Sequence, residues 1–191
     1  MSSEPDLLTL HRWRRLDWRF LLPTLAPRRL GYGGAVDPEL ATTLRLLDPD
    51  ARPLAEAEPD GCDLAFLVQP TRSDLGQALT RLAPGGWLCL EVVAGRHGRS
   101  APWTVAGWRQ TLLRRRLVEV TAYWCPPGLA DSTRIVRVDH TTAVNRTLDR
   151  HQGVRFGAQK ALLGRLLVRM GAFGLAVPQG IVVGRRPGGS R

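Results

Sequence analysis

The order of apolar segments predicts an α/β fold in which helices cover both faces of a parallel sheet. Continuous apolar runs at 62–68 and 87–93 are typical of strands that are buried on both faces. A helix-forming segment at 74–83 separates them, and another at 105–115 leads into an alternating segment at 117–124. Strands that alternate with helices at this spacing indicate βαβ units and therefore a parallel sheet.

The first half of the chain carries weaker signals for the same kinds of element. Apolar residues recur at helical spacing over 7–22, and two prolines end that segment. Asp37 followed by Pro38 is typical of a helix start, because aspartate accepts bonds from free backbone amides and proline fits the first helical position. The segment after this helix is irregular in composition, and we expect a short strand at 52–55.

A long insertion precedes the last strand. It covers 125–178, and apolar spacing predicts a helix at 157–170 within it. The apolar segment at 180–184 then suits a final strand, and the arginine-rich end of the chain follows it. We therefore expect a helical insertion between the last two strands of the sheet.

Length and composition favour one domain. The chain has 191 residues, of which 43% are hydrophobic and 23% charged, as is typical of a globular protein. We expect a single domain over 1–191, with 1–27 as an N-terminal helical lid and 125–178 as an insertion or cap. No apolar run approaches the roughly 20 residues that span a bilayer. The acidic start lacks the pattern of a signal peptide, so a cytoplasmic location is predicted.

The formal net charge of +10 raises the question of nucleic-acid binding. Lys160 is the only lysine, and the arginines are scattered along the chain without a nucleic-acid-binding motif. We interpret the charge as a solvated basic surface and do not expect nucleic acid as the partner. The three cysteines and four histidines lack metal-ligand spacing, which predicts reduced, buried thiols and no metal site.

One part of the chain resembles the class I S-adenosylmethionine-dependent methyltransferases. Asp63 opens an apolar strand, a helix follows, and Ala83-Pro84-Gly85-Gly86 leads into the next strand. In that family an aspartate opens the fourth strand, and a turn with Pro-Gly-Gly leads to the fifth. The segments 117–124 and 181–184 are similar to the sixth strand and to the seventh, antiparallel strand. The resemblance covers roughly 60–187 and implies a three-layer, Rossmann-like methyltransferase sheet.

The resemblance also implies S-adenosylmethionine as the cofactor. Gly31, Gly33 and Gly34 are similar to the family's cofactor-binding turn, where backbone amides approach the cofactor without hindrance from Cβ. The acid that precedes this turn in the family is replaced by arginine. Only 29 positions separate Gly34 from Asp63, which is too few for the usual strands and helices. We therefore expect the first half of the sheet to be truncated by one βα unit.

Seven residues are predicted to bind the cofactor through this resemblance. Asp48 or Asp50 would replace the family's ribose-binding acid, and Gln69 ends the strand that Asp63 opens. The predicted set is Gly31, Tyr32, Gly33, Gly34, Asp48, Val68 and Gln69. Gly33→Val is expected to abolish cofactor binding and to leave the fold intact.

His97 and Tyr123 are the candidates for catalytic residues. His97 follows the strand at 87–93 and Tyr123 lies near the end of another strand, and open parallel sheets bind ligands at the carboxyl ends of their strands. Methyl transfer from a sulfonium mainly needs alignment and sometimes a base. An exposed loop histidine and a tyrosine packed in the core are the alternative interpretations. No nucleophile elbow and no P-loop pattern occurs.

Two functions stay open at this point. The first is S-adenosylmethionine-dependent methyl transfer to a small molecule, a specialised metabolite or a saccharide. The second is a methyltransferase-like protein without methyl transfer, acting as a partner subunit or scaffold, or as a biosynthetic enzyme repurposed for another reaction. The shortened first half and the missing acid motivate the second.

Overall fold

A mixed seven-stranded sheet forms the centre of the protein. The computed structural model describes residues 14–23, 27–93, 104–126, 134–150 and 157–188, together with Pro102, Leu129 and Ser132. The strands are β1 (Leu30–Gly34), β2 (Arg52–Pro53), β3 (Cys62–Val68), β4 (Leu82–Val92), β5 (Val118–Trp124), β6 (Val136–Arg137) and β7 (Gly180–Arg185). Their order across the sheet is β2-β1-β3-β4-β7-β5-β6. Strands β1 to β4 are parallel, whereas β7 runs antiparallel between β4 and β5.

Helices cover both faces of this sheet. They are α1 (Pro38–Leu47), α2 (Arg72–Arg81), α3 (Val105–Arg114), α4 (Thr141–Arg150) and α5 (Gly157–Arg169), with short 3-10 helices at Asp17–Leu21 and Phe173–Leu175. One buried cluster joins the sheet to α1 and the first 3-10 helix. The other joins the opposite face to α2, α3, α4 and α5. The predicted three-layer α/β fold is therefore confirmed.

The predicted truncation of the first half and the helical insertion are confirmed as well. Only α1 and the two-residue strand β2 lie between β1 and β3. Helices α4 and α5 lie between β5 and β7, as expected of an insertion before the last strand. The hairpin strand β6 and helix α4 were not predicted. Strand β6 pairs through two residues only, and α4 buries few apolar side chains, with Val144 and Leu148 one turn apart.

Two helix starts follow from their capping residues. Asp37 precedes α1, and its Oδ1 accepts a hydrogen bond from the Leu40 amide at 2.7 Å, as predicted. Thr71 precedes α2 and forms a capping box with Asp74. This box explains why α2 begins at Arg72, two residues before the predicted start.

The Pro-Gly-Gly segment is a bulge inside β4 rather than a turn before it. Cys62 pairs with Leu82, and the next pair joins Leu64 to Trp87, so several residues of β4 lie opposite one residue of β3. Gly85 has a φ of +81°, which favours glycine at this position. The predicted turn is corrected in this respect.

The N-terminal segment packs against the sheet where it is described. Of the helix expected over 7–22, residues 7–13 lie outside the described residues, and the rest contains the 3-10 helix Asp17–Leu21. Trp18 is fully buried and stacks on Phe66 of β3, with ring centroids 4.7 Å apart. The division into one domain with a lid and a cap stays a prediction. Within the described part of the chain, no helix is long and apolar enough to cross a membrane.

Candidate functional site

The strand order reverses at β1, which marks the expected place for a ligand. β2 lies on one side of β1 and β3 on the other, and ligands of open α/β sheets bind outside the carboxyl ends of the strands at such a point. Gly34 pairs with Val68, and Val68 pairs with Glu91. We call the place where β1, β3 and β4 end, at Gly34, Gln69 and Glu91, the carboxyl edge.

Backbone hydrogen bonds hold the three strand ends together at the carboxyl edge. The Ala35 amide donates to the Val68 carbonyl at 2.8 Å, and the Gln69 amide donates to the Glu91 carbonyl at 2.8 Å. Gly34 has a φ of +78° and Gln69 a φ of +46°, so both strands leave the sheet in left-handed conformations. The carboxyl edge is therefore a firmly connected frame.

The predicted cofactor turn is part of a strand. Gly31, Gly33 and Gly34 all belong to β1, which corrects their expected position in a turn. A Cβ on Gly31 would lie 2.6 Å from Leu54 Cδ2 and 2.7 Å from Cys62 Sγ. A Cβ on Gly33 would lie 3.1 Å from a methyl carbon of Leu67. Protein side chains thus fill the space beside these glycines, and Gly33→Val is now expected to disturb the fold as well.

In the family that the chain resembles, the ribose-binding acid ends the second strand, and Leu54 lies at that position here. It directly follows β2, the strand beside β1, and its amide donates to the Tyr32 carbonyl at 2.8 Å. The side chain is 1% exposed and packs against the open faces of Gly31 and Gly33. An apolar, buried leucine provides no acceptor for ribose hydroxyls. The residue that directly follows β2 therefore does not supply the ribose acceptor that the resemblance implies.

Asp48 lies at the wrong end of the sheet for its predicted role. Its Oδ2 accepts a hydrogen bond from the Leu30 amide at 2.7 Å, and its Oδ1 accepts one from the Asp50 amide at 3.0 Å. Leu30 is the first residue of β1, so this carboxylate is at the amino end of the strand, opposite the carboxyl edge. It is 5% exposed and connects α1 to β1. Its prediction as a ribose-binding acid is corrected accordingly.

The remaining predicted cofactor residues differ in accessibility. Tyr32 and Val68 are buried in the core, and the Tyr32 hydroxyl accepts a bond from Arg45 Nη2 at 3.4 Å. Gly34 is exposed and Gln69 is half-buried, both at the carboxyl edge. Cofactor binding by these four residues stays a prediction, and only Gly34 and Gln69 offer a ligand access.

Of the two predicted catalytic residues, one can be placed. His97 lies outside the described residues. Tyr123 is half-buried and pairs with Ile181 of β7, which in turn pairs with Glu91 of β4. Burial raises the pKa of the Tyr123 hydroxyl, so it is a proton donor rather than a base at neutral pH. A catalytic role for either residue stays a prediction.

Glu91 is a candidate site residue that the sequence-based prediction missed. It is 8% exposed, and its Oε2 has no hydrogen-bond partner among the described residues. Burial raises the pKa of this carboxyl, while Arg15 lowers it and Asp37 raises it. A single acid in the apolar segment 87–93 was the available signal, since such strands are otherwise apolar on both faces.

The groups around Glu91 form a small polar cluster. Arg15 donates to Asp37 at 2.8 Å, so its closest carboxylate is that of Asp37. Burial raises the pKa of Cys125 to about 12 and that of Cys89 well above its ordinary value, with the Glu91 charge contributing to both. Both thiols are therefore protonated and unreactive at neutral pH. No metal-binding group of histidine, cysteine and acid side chains occurs in the part of the chain that is described.

Glu91→Leu is expected to stabilise the protein, by about 1–3 kcal/mol at pH 8, because a buried acceptor without a partner is removed. The raised folded-state pKa of Glu91 means that wild-type stability falls as pH rises from the unfolded value through the folded one. The advantage of the variant should therefore shrink towards pH 4. Urea unfolding of both proteins from pH 4 to pH 8 measures it, and a pH-independent difference would contradict the burial of an ionisable carboxyl.

Comparisons with known proteins return structures and no sequence relatives. No protein-family model and no curated protein matches the chain. A S-adenosylmethionine-dependent methyltransferase of Thermotoga maritima, described as a possible histamine N-methyltransferase, is 10% identical over 93% of this chain and 91% of its own, with a TM-score of 0.48. Phosphoethanolamine N-methyltransferase 2 of Haemonchus contortus is 10% identical over 94% of this chain and 57% of its own, with a TM-score of 0.33. The cyclase SpnF is 15% identical over 98% and 85%, with a TM-score of 0.40. All three TM-scores are below 0.5.

Proposed function

We propose that this chain is a methyltransferase-like protein that binds a small organic molecule at the carboxyl edge without transferring a methyl group from S-adenosylmethionine. The observation that supports the lack of methyl transfer is the position of Leu54, whose buried apolar side chain packs against Gly31 and Gly33. The protein is then a biosynthetic enzyme repurposed for another reaction, or a binding subunit. Its ligand belongs to the class of small metabolites.

The binding half of the proposal follows from topology and from one side chain. The point where strand order reverses is the common ligand site of open α/β sheets, and here it lies between β1 and β3. Gly34 and Gln69 are accessible at that point. Glu91 adds a buried carboxylate oxygen without a partner among the described residues, which is a costly feature that function explains better than stability.

What the cofactor requires supports the second part of the proposal, that no methyl group is transferred. S-adenosylmethionine supplies a methyl group on a sulfonium, so binding and alignment of the cofactor are the main catalytic task. Side chains of this chain fill the faces of Gly31 and Gly33, and Asp48 is bonded at the amino end of β1. The closed faces of these two glycines and the position of Asp48 support the proposal, because the family relies on an open glycine face and a ribose-binding acid.

Methyl transfer to a small molecule is the second candidate. The observation that favours it is the position of β7, antiparallel between β4 and β5, because it completes the strand order that the resemblance implies. In this case Gly34 and Gln69 would hold the cofactor, and Tyr123 would contact a specialised metabolite or saccharide. Both candidates use the same carboxyl edge, so one experiment on cofactor binding separates them.

Thermal unfolding with S-adenosylmethionine and with S-adenosylhomocysteine, followed by calorimetry, decides between the candidates. We expect no shift in melting temperature and no heat of binding at millimolar ligand. A functional site filled at about 100 times its dissociation constant would stabilise the protein by roughly 2.7 kcal/mol. That stabilisation would raise the melting temperature by roughly 5–10 °C.

Adenosine at the same concentration serves as the control, because it reports binding of the purine alone. A rise with both cofactor forms and not with adenosine would overturn the proposal in favour of methyl transfer. Equal small rises with all three compounds would indicate unspecific binding and leave the proposal standing.

A further inference from the structure

We propose that helix α5 binds the surface of an anionic lipid membrane through an exposed apolar stripe that is flanked by cations. The stripe consists of Leu162, Leu163, Leu166 and Met170, and we call it the leucine stripe. It lies in the helical insertion before the last strand. The inference therefore does not depend on the ligand or the reaction at the carboxyl edge.

The leucine stripe occupies one side of α5. Its four side chains are each more than half exposed, from 51% for Leu166 to 69% for Leu162. An α-helix turns by about 100° per residue, so the four positions fall within an arc of about 100°. The Met170 amide donates to the Leu166 carbonyl at 3.0 Å, which continues the helical turn to Met170. The stripe is therefore one continuous apolar surface, roughly 12 Å long.

Packing of the other side of α5 fixes the direction in which the stripe points. Ala161, Gly164 and Val168 are buried on that side. A Cβ on Gly164 would lie 2.8 Å from Leu148 Cδ1 of α4, so the two helices are in close contact there. A rotation of α5 that buried the leucines would break this contact. A contiguous exposed apolar surface that is held in this way indicates an interaction site.

Positive charge surrounds the leucine stripe. Helical spacing places Lys160 beyond one edge of the stripe and Arg165 and Arg169 beyond the other. Arg165 bonds to Asp149 of α4, whereas Lys160 and Arg169 are exposed and form no ion pair with a described residue. Over 141–175 the chain has six basic residues and one acid. This segment thus carries +5 of the net charge of +10 in less than a fifth of the chain.

These features suit an anionic lipid surface better than a protein partner. Leucine and methionine can enter the acyl boundary while lysine and arginine reach the headgroup phosphates. The stripe contains no aromatic side chain, and the residues that dominate protein interfaces are tryptophan, tyrosine and arginine rather than leucine. A second copy of the chain is disfavoured, because a symmetric contact through α5 would oppose two surfaces of charge +5.

Binding of the full-length protein to lipid vesicles tests the inference. One set of vesicles is phosphatidylcholine alone, and the other contains a minority of phosphatidylglycerol. We expect sedimentation with the anionic vesicles to be stronger by roughly tenfold or more, since each cation near an anionic surface adds to the attraction. Binding should weaken as salt is raised, because surface charges are then screened.

Leu162→Gln and Leu46→Gln form a matched pair of variants that leave the charge of the protein unchanged. A basic protein can bind anionic vesicles through charge alone, so this pair decides whether the stripe takes part. Leu46 is 62% exposed in α1, on the opposite face of the sheet. Leu162→Gln should weaken vesicle binding roughly fivefold to tenfold, and Leu46→Gln should leave it unchanged. Both side chains are exposed, so circular dichroism should show intact folding in each variant.

A fluorescent label identifies the surface that contacts the lipid. Leu163→Cys and Leu46→Cys each introduce an exposed thiol for an environment-sensitive dye, while the three native cysteines are buried. On anionic vesicles the emission of the dye should rise at position 163 and stay constant at position 46.

Three results would overturn the inference. The first is no binding to anionic vesicles at low salt. The second is vesicle binding that Leu162→Gln leaves unchanged, which would place the lipid contact elsewhere on the basic surface. The third is self-association without lipid that Leu162→Gln abolishes, which would assign the stripe to a second copy of the chain. None of these results affects the test of cofactor binding at the carboxyl edge.

Discussion

Gly34→Ala is expected to lower the free energy of unfolding by about 3–5 kcal/mol. A Cβ on Gly34 would lie 2.1 Å from the carbonyl oxygen of Val68, far inside contact distance. Gly34 and Val68 are paired residues of the neighbouring strands β1 and β3, so the backbone there cannot easily move away. The φ of +78° adds the cost of a left-handed conformation for alanine. Because neither strand can shift without breaking the Ala35 to Val68 bond, the carboxyl edge itself must open. Urea unfolding followed by circular dichroism measures the loss.

Gly171→Ala is the matched control for this effect. Gly171 also has a positive φ, of +67°, but a Cβ there would meet nothing within 4 Å. The control therefore carries the backbone cost alone, about 1–2 kcal/mol. Equal losses in the two variants would show that β1 and β3 do not approach as closely at Gly34 as their register requires.

The glycines of β1 show where prediction from the sequence stops. Glycine suits a tight turn and also a strand to which another chain comes close, and the sequence does not distinguish these two uses. The outcome depends on Leu54, a residue more than twenty positions away that packs against Gly31 and Gly33. A contact between distant parts of the chain leaves no local pattern, so the sequence did not show that these glycines belong to a strand rather than to a turn.

Most elements of the fold were accessible from local patterns. The buried strands β3 and β4, the capped helix α1 and the insertion helix α5 each carry a run, a cap or a period that predicts them. The hairpin strand β6 pairs through two residues only, and α4 is mostly polar, so neither stands out in the sequence. The missing βα unit followed from counting residues, because a strand and a helix need a minimum length of chain.

The sequence predicted the location of the candidate site but only some of its residues. Parallel strands bring Gly34, Gln69 and Glu91 to one edge, and the sequence predicted that edge from the strand order. Asp48 could bind a cofactor only at the carboxyl end of β1. The structure places its carboxylate at the amino end, where it accepts a hydrogen bond from the Leu30 amide. Glu91 was visible as an acid in an apolar strand, but only the structure shows that its Oε2 has no partner among the described residues.

Trp18→Ala is expected to cost about 3–5 kcal/mol of unfolding free energy, as for other fully buried aromatic side chains. Trp18 is 0% exposed and stacks on Phe66 with an interplanar angle of 16°. The variant leaves a cavity between the first 3-10 helix and β3, because the rigid sheet cannot collapse into it. Denaturant unfolding gives the value, and the slope of the transition should stay unchanged if only the folded state is affected.

Two control variants, Trp18→Phe and Phe20→Ala, show what the stability loss of Trp18→Ala means for the N-terminal segment. Trp18→Phe keeps an aromatic ring on Phe66 and removes an indole N–H that has no acceptor among the described residues, so its loss should be much smaller than that of Trp18→Ala. Phe20 is 59% exposed in the same 3-10 helix, and Phe20→Ala should cost less than about 1 kcal/mol. If Trp18→Ala were as mild as Phe20→Ala, the segment would be a lid that leaves the sheet easily. A large loss at Trp18 alone would make the N-terminal segment a fixed part of the core. The ligand that we propose for the carboxyl edge would then have to enter without displacing this segment.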